Sequence, residues 1–133
     1  MPQPERATGE GPRRQVLVLD DEALVRESLR ELLALRGLDA VEAADAAAGL
    51  DLLHQRGEAV VGAIIDLTLP DMDGREVARR IVAERSGFPI VLSSGYPTPL
   101  NFEDLGDPRR LAFVQKPFRS EEFWRALEGV GIV

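Results

Sequence analysis

Gln15-Val16-Leu17-Val18-Leu19-Asp20-Asp21 is an aliphatic run that stops abruptly at two carboxylates. It lacks the in-out alternation of a half-exposed strand, so it reads as a strand buried on both faces, the situation inside a parallel sheet. Val25, Leu29, Leu32 and Leu33 then recur at helical spacing, with charges between them, until Gly37 supplies a stop. The alternation continues along the chain. Residues 39–43 make a weak strand, and Ala46, Leu50 and Leu53 mark a second helix ending near Gly57. Residues 60–65 form a strongly apolar third strand that again ends at an aspartate, Asp66. A loop with Pro70 and Gly74 leads to a third helix carrying Val77, Ile81 and Val82 on one side. Residues 88–92 read as a fourth strand running into Ser93-Ser94-Gly95, residues 111–114 as a fifth before Lys116-Pro117, and residues 121–129 as a last helix with Phe123 and Leu127 four apart. The expected fold is therefore a single α/β domain, a doubly wound five-stranded parallel sheet with helices on both faces. Pro97, Pro99, Gly106 and Pro108 break the order between the last two strands and leave room for an irregular or shortened helix at most.

Composition narrows the function classes. The 133 residues fit one domain. Residues 1–13, rich in proline and glycine, are expected to be a disordered tail or linker, with 14–133 as the folded unit. No apolar run approaches the roughly 20 residues of a membrane-spanning helix. The first residues have no apolar core for a signal peptide, so a cytoplasmic location is expected. Zero cysteines exclude disulfides, thiolate nucleophiles and cysteine-held metals. The single histidine, His54, reads as a surface residue, and it leaves no multi-histidine metal site. With 16 basic and 23 acidic side chains the formal net charge is −7, which disfavours binding to phosphate backbones, so no nucleic-acid partner is expected.

The informative feature is where the polar groups fall. In open α/β sheets ligands bind at the carboxyl ends of the strands. Those ends carry Asp20 and Asp21, Asp66, Ser93 and Lys116. Two carboxylates about 4 Å apart repel by roughly 4 kcal/mol at an effective dielectric of 20, so three together need a counter-charge. Oxygen ligands without histidine or cysteine favour Mg²⁺, which keeps waters that a phosphate can replace. Lys116 adds a compact positive charge for a phosphoryl oxygen, and Ser93 a hydroxyl for another. Within that set Asp66, on the most apolar and central strand, is the candidate nucleophile for phosphoryl transfer.

Leu19-Asp20-Asp21-Glu22, Asp66-Leu67-Thr68-Leu69-Pro70-Asp71-Met72-Asp73-Gly74, Leu92-Ser93-Ser94-Gly95 and Phe113-Val114-Gln115-Lys116-Pro117-Phe118 together resemble the receiver domain of two-component response regulators. The spacing, with 45 residues from Asp21 to Asp66, 27 to Ser93 and 23 to Lys116, carries the resemblance better than any single piece. It implies a flavodoxin-like strand order, Asp66 as phosphoacceptor, and Asp20, Asp21, Asp66 and the Thr68 carbonyl as holders of Mg²⁺. It further implies Ser93 as the switch hydroxyl, Lys116 as the phosphoryl-contacting lysine, Phe113 as the rotating aromatic and Pro117 as a cis-proline candidate. The implied partner is a sensor histidine kinase or a histidine phosphotransfer domain, with the receiver itself a monomer or weak dimer. The chain departs from the pattern in having Phe113 where tyrosine is commoner, and in its proline-rich 97–108 segment. That segment looks more like the receivers of hybrid sensor kinases than like those of transcriptional regulators. No DNA-binding domain is expected after the last helix.

Blander readings exist for each piece: Asp20-Asp21 as a helix cap, Asp66 to Gly74 as a plain turn, Arg75, Arg79 and Arg80 as a solvated face, Trp124 as packing. Two rival functions remain. A haloacid-dehalogenase-type phosphatase would place its nucleophile on the first strand with an acid two residues on, where this chain has Asp20 and Glu22. A nucleotide or flavin module would need a glycine-rich phosphate loop that the first strand lacks.

Overall fold

Each apolar run of the sequence becomes a strand of one sheet, β1 (Gln15–Leu19), β2 (Asp39–Ala43), β3 (Val60–Asp66), β4 (Ile90–Ser94) and β5 (Leu111–Gln115). All pairings are parallel and the order is β2-β1-β3-β4-β5. Among the described residues four α-helices, α1 (Ala23–Ala34), α2 (Ala46–Arg56), α3 (Gly74–Glu84) and α4 (Ser120–Val130), cover the two faces. This computed structural model describes residues 13–97 and 104–133. The expected tail thus lies outside the described residues except for Arg13, as do residues 98–103 of the proline-rich 97–108 segment.

The period of two along the strands sorts side chains into two cores. Leu17, Leu19, Ala63, Ile65, Ile90 and Leu92 face α2 and α3, meeting Leu53, Val77 and Ile81. Val16, Val18, Ile64 and Val91 face α1 and α4, meeting Leu29, Leu33, Phe123 and Leu127. Burying each of these aliphatic side chains contributes roughly 1.5–3 kcal/mol, and a strand buried on both faces needs no polar alternation. Trp124 belongs to the second core, with the Arg36 guanidinium 4.1 Å above its ring.

One element differs from expectation. The fourth strand starts at Ile90 rather than residue 88 and continues through Ser94. Pro89 has no N–H to give a ladder, and the Phe88 amide is spent in a turn on Arg85 O at 3.1 Å. At its far end, Leu67 N donates to Ser93 O and Lys116 N to Ser94 O, both at 2.8 Å, which prolongs β4 past the apolar run. Between β4 and β5 the described residues hold no α-helix: 104–107 form turns, and Pro108–Arg110 a single 3₁₀ turn. Leu105 enters the first core there, 1 % exposed, and Asp104 pairs with Arg79 of α3 at 2.8 Å.

Local chemistry sets where α3 and α4 begin and end. The Asp73 carboxylate accepts from Arg75 N at 2.7 Å to cap α3. Gly74 follows because a Cβ at that position would sit 2.4 Å from Asp66 O and 2.7 Å from Leu67 Cα. The start of α3 is therefore packed directly on the end of β3. At the other end of the chain, Gly131 takes φ 90° and lets Ile132 N close back on Leu127 O at 2.9 Å, ending α4. Among the described residues no helix is long and apolar enough to cross a membrane.

Candidate functional site

Parallel register converts sequence position into proximity. Leu19 is level with Ile65 and Asp66 is level with Ser93, so the first polar residues after three different apolar runs end up on neighbouring strands, about 4.8 Å apart. Asp20 leaves β1 and Asp66 closes β3, which are the two strands flanking the point where the sheet order reverses. That is where doubly wound sheets open a crevice. Asp20, Asp21 and Asp66 each bring a carboxylate oxygen within 4.8 Å of the others, Asp20 and Asp66 buried and Asp21 exposed.

Lys116, delivered by the turn after β5, lies across the cluster. Its Nζ donates to Asp20 Oδ2 at 2.7 Å and to Asp66 Oδ2 at 3.2 Å, and stands 3.5 Å from Glu22 Oε1. The Lys116–Pro117 peptide is cis. The second oxygens are held by backbone: Glu22 N donates to Asp20 Oδ1 at 2.9 Å, and Thr68 N to Asp66 Oδ1 at 3.1 Å. Ser93 stands beside Asp66 on β4, and its Oγ is buried with no hydrogen-bond partner among the described residues. Phe113 is half-buried on β5, level with Leu92, and packs on the first core.

The electrostatics are those of a crowded acidic site. Burial pushes the Asp66 carboxyl above the ordinary aspartate value; the Thr68 amide and Lys116 oppose this, while the charge of Asp20 adds to it. Burial acts to lower Lys116, yet its hydrogen bonds and attraction to Asp20 and Asp66 outweigh that and raise it. One ammonium among three carboxylates leaves a negative excess, and every available ligand atom is oxygen. A hard divalent cation fits that donor set.

The cleft holding these groups is about 400 Å³ and is lined by Asp21, Glu22, Asp66, Thr68, Gly95, Tyr96 and Lys116. Glu22 and Tyr96 are additions to the residues expected from sequence. Adjacency alone could have flagged Glu22, which follows the acidic pair. His54 stays apart from the site, on the surface, paired with Glu84 at 2.8 Å.

Residues 16–128 match the family model described as the response regulator receiver domain. The chain belongs to that family. Over 116 residues it is 32 % identical to the transcriptional regulatory protein FixJ of Bradyrhizobium diazoefficiens, covering 85 % of this chain and 54 % of FixJ. The match to the transcriptional regulatory protein PdtaR of Mycobacterium tuberculosis is also 32 % over 116 residues, covering 86 % and 55 %. The chain therefore spans about half the length of these curated relatives. The sensor kinase CckA of Brucella abortus is 28 % identical over 114 residues, 86 % of this chain and 12 % of the kinase. Among solved structures, the signal receiver domain of an HD domain-containing protein from Pseudomonas fluorescens Pf-5 aligns with a TM-score of 0.78 at 24 % identity, covering 90 % and 94 % of the two chains. A response regulator receiver protein from Sinorhizobium medicae aligns at 0.77 with 26 % identity, covering 89 % and 94 %. The fold and the function class expected from sequence hold: this is a receiver domain of two-component systems. Nothing supports a haloacid-dehalogenase-type phosphatase. Both oxygens of Asp20, its required nucleophile, are engaged by Lys116 and the Glu22 amide.

Proposed function

We propose that Asp66 is the phosphoryl acceptor of this receiver and that Asp20, Asp21, Asp66 and the Thr68 carbonyl would hold Mg²⁺. The donor would be the phosphohistidine of a sensor histidine kinase or a histidine phosphotransfer domain. One observation carries the reading: a buried carboxylate at the end of the central strand, bridged by a lysine, beside a buried hydroxyl that has no hydrogen-bond partner among the described residues. When bound, Mg²⁺ supplies positive charge that offsets the carboxylates and the incoming phosphoryl oxygens.

An Asp66 oxygen attacks phosphorus as the P–N bond of the phosphohistidine breaks, and that bond's electron pair returns to the imidazole. Lys116, already within hydrogen-bond reach of Asp66, donates to a phosphoryl oxygen. The Ser93 hydroxyl gains an acceptor there, and Phe113 moves with it as the switch aromatic. Water attack on the mixed anhydride restores the carboxylate and releases phosphate. No separate substrate is turned over, so the receiver acts as a switch and not as an enzyme. The same reading has it work in the cytoplasm as a monomer or weak dimer, without contacting nucleic acid itself.

The test is incubation with acetyl phosphate, or with beryllofluoride, in Mg²⁺. With acetyl phosphate the wild-type chain is expected to gain one phosphoryl group by intact mass, and with beryllofluoride to rise in melting temperature; Asp66→Asn is expected to do neither. A full response in Asp66→Asn would overturn the assignment.

A further inference from the structure

Asp20 is held by more than its carboxylate contacts. Its amide donates to Ala43 O at the end of β2, at 3.2 Å. Its carbonyl accepts from Arg26 Nη1 at 2.7 Å. Arg26 lies on α1 with a fifth of its side chain exposed, and its Nε stands 3.6 Å from Glu42 Oε1 on β2. The other Glu42 oxygen takes Arg30 Nη1 at 2.6 Å. Both main-chain polar groups of Asp20 are thus tied to β2, one directly and one through a guanidinium braced by Glu42. A strand-end carbonyl ordinarily turns to water; here it meets a planar fork whose orientation is fixed from the other side.

We infer that Arg26, braced by Glu42, is a positioning residue that fixes Asp20 in the geometry its carboxylate needs to bind a divalent cation. The inference rests on the cation role proposed above. Its sign separates it from simple charge. Arg26 is a positive group close to an acidic cluster, so through charge alone its removal would strengthen cation binding. Acting as a brace, its removal lets Asp20 move and weakens binding, because an outer partner of a metal ligand orients it.

The experiment is a Mg²⁺ titration of the unphosphorylated chain, read as the rise in melting temperature, for wild type, Arg26→Ala, Arg26→Gln and Arg30→Ala. Arg26→Ala is expected to need about tenfold more Mg²⁺, the low end for outer partners of metal ligands. Arg26→Gln, which can still donate to the Asp20 carbonyl, recovers part of that loss. Arg30→Ala, which loses the same Glu42 partner but never touches Asp20, stays close to wild type. If Arg26→Ala proves too unstable to titrate, Arg26→Lys, which keeps the charge but lacks the planar fork that Glu42 braces, is expected to weaken binding in the same direction, whereas charge alone would leave binding unchanged. Mg²⁺ binding to Arg26→Ala that is as tight as or tighter than wild type overturns the inference. So does an equal loss in Arg30→Ala. A wild-type chain that shows no Mg²⁺ response fails the cation reading itself, and the inference with it.

Discussion

At the scale of one residue, Ser93 joins burial to an unspent hydroxyl beside the acidic cluster. It is 2 % exposed, and its Oγ lacks a partner among the described residues, whereas the Oγ of neighbouring Ser94 accepts from Tyr96 N at 3.1 Å. A buried hydroxyl left unpaired costs about 1–3 kcal/mol. Ser93→Ala is therefore expected to stabilise the metal-free chain by about 1 kcal/mol, a few degrees in calorimetry, while slowing phosphoryl acceptance from acetyl phosphate. A variant that is destabilised and accepts normally would make Ser93 mere strand packing. Residues of this kind were legible in the sequence for a physical reason. Asp20, Asp66, Ser93 and Lys116 each follow an apolar run, and parallel register turns that shared position into contact. Arg26 and Asp71 were not legible, because their partners are a main-chain carbonyl and the amides of a distant helix, which no spacing marks.

At the scale of elements, Asp71 is the instructive case. From sequence it is a turn former in the β3–α3 loop. In the structure its two oxygens accept from Ala46 N at 2.8 Å and Ala47 N at 3.0 Å, capping α2 from 25 residues away beside α2's own cap, Asp45. The cap also ties the loop that carries Thr68 to a rigid helix. Those amide hydrogen bonds, from Ala46 first and then Ala47, hold the Asp71 carboxyl below its ordinary value. A depressed folded-state pKa means that the unfolded chain binds the proton more tightly. The stabilisation is thus complete above the ordinary carboxylate range and is lost as the pH falls through it, from about 4 downward. Asp71→Ala is expected to lower the melting temperature at neutral pH, with the gap to wild type closing as the buffer is taken below about pH 4. A gap that does not change with pH would mean that the cap does not depend on the carboxylate charge. Element boundaries were less legible than element types. The start of β4 turned on Pro89 lacking an N–H, and its end on hydrogen bonds from Leu67 and Lys116, residues of other segments.

At the scale of the molecule, periodicity yields elements but not their neighbours, so the strand order came from the receiver resemblance and not from the apolar runs. That order puts β1 and β3 at the centre and makes the acidic cluster a property of the whole sheet: the ends of three strands, β1, β3 and β5, must be in place before Asp20, Asp21, Asp66 and Lys116 meet. The unfolded chain has no such site, and a cation that binds the native state alone stabilises the entire fold. At a hundred times its dissociation constant it would add about 2.7 kcal/mol. The net charge of −7 offers a competing explanation, since any salt screens repulsion among surface carboxylates over about 10 Å at 0.1 M. The two separate cleanly. MgCl₂ is expected to raise the melting temperature well beyond NaCl of equal ionic strength, and Asp20→Asn is expected to lose that excess while keeping the small response to NaCl. An equal rise with both salts, or an undiminished Mg²⁺ increment in Asp20→Asn, would mean that the cluster holds no specific cation and that the acidic surplus acts only as a diffuse field.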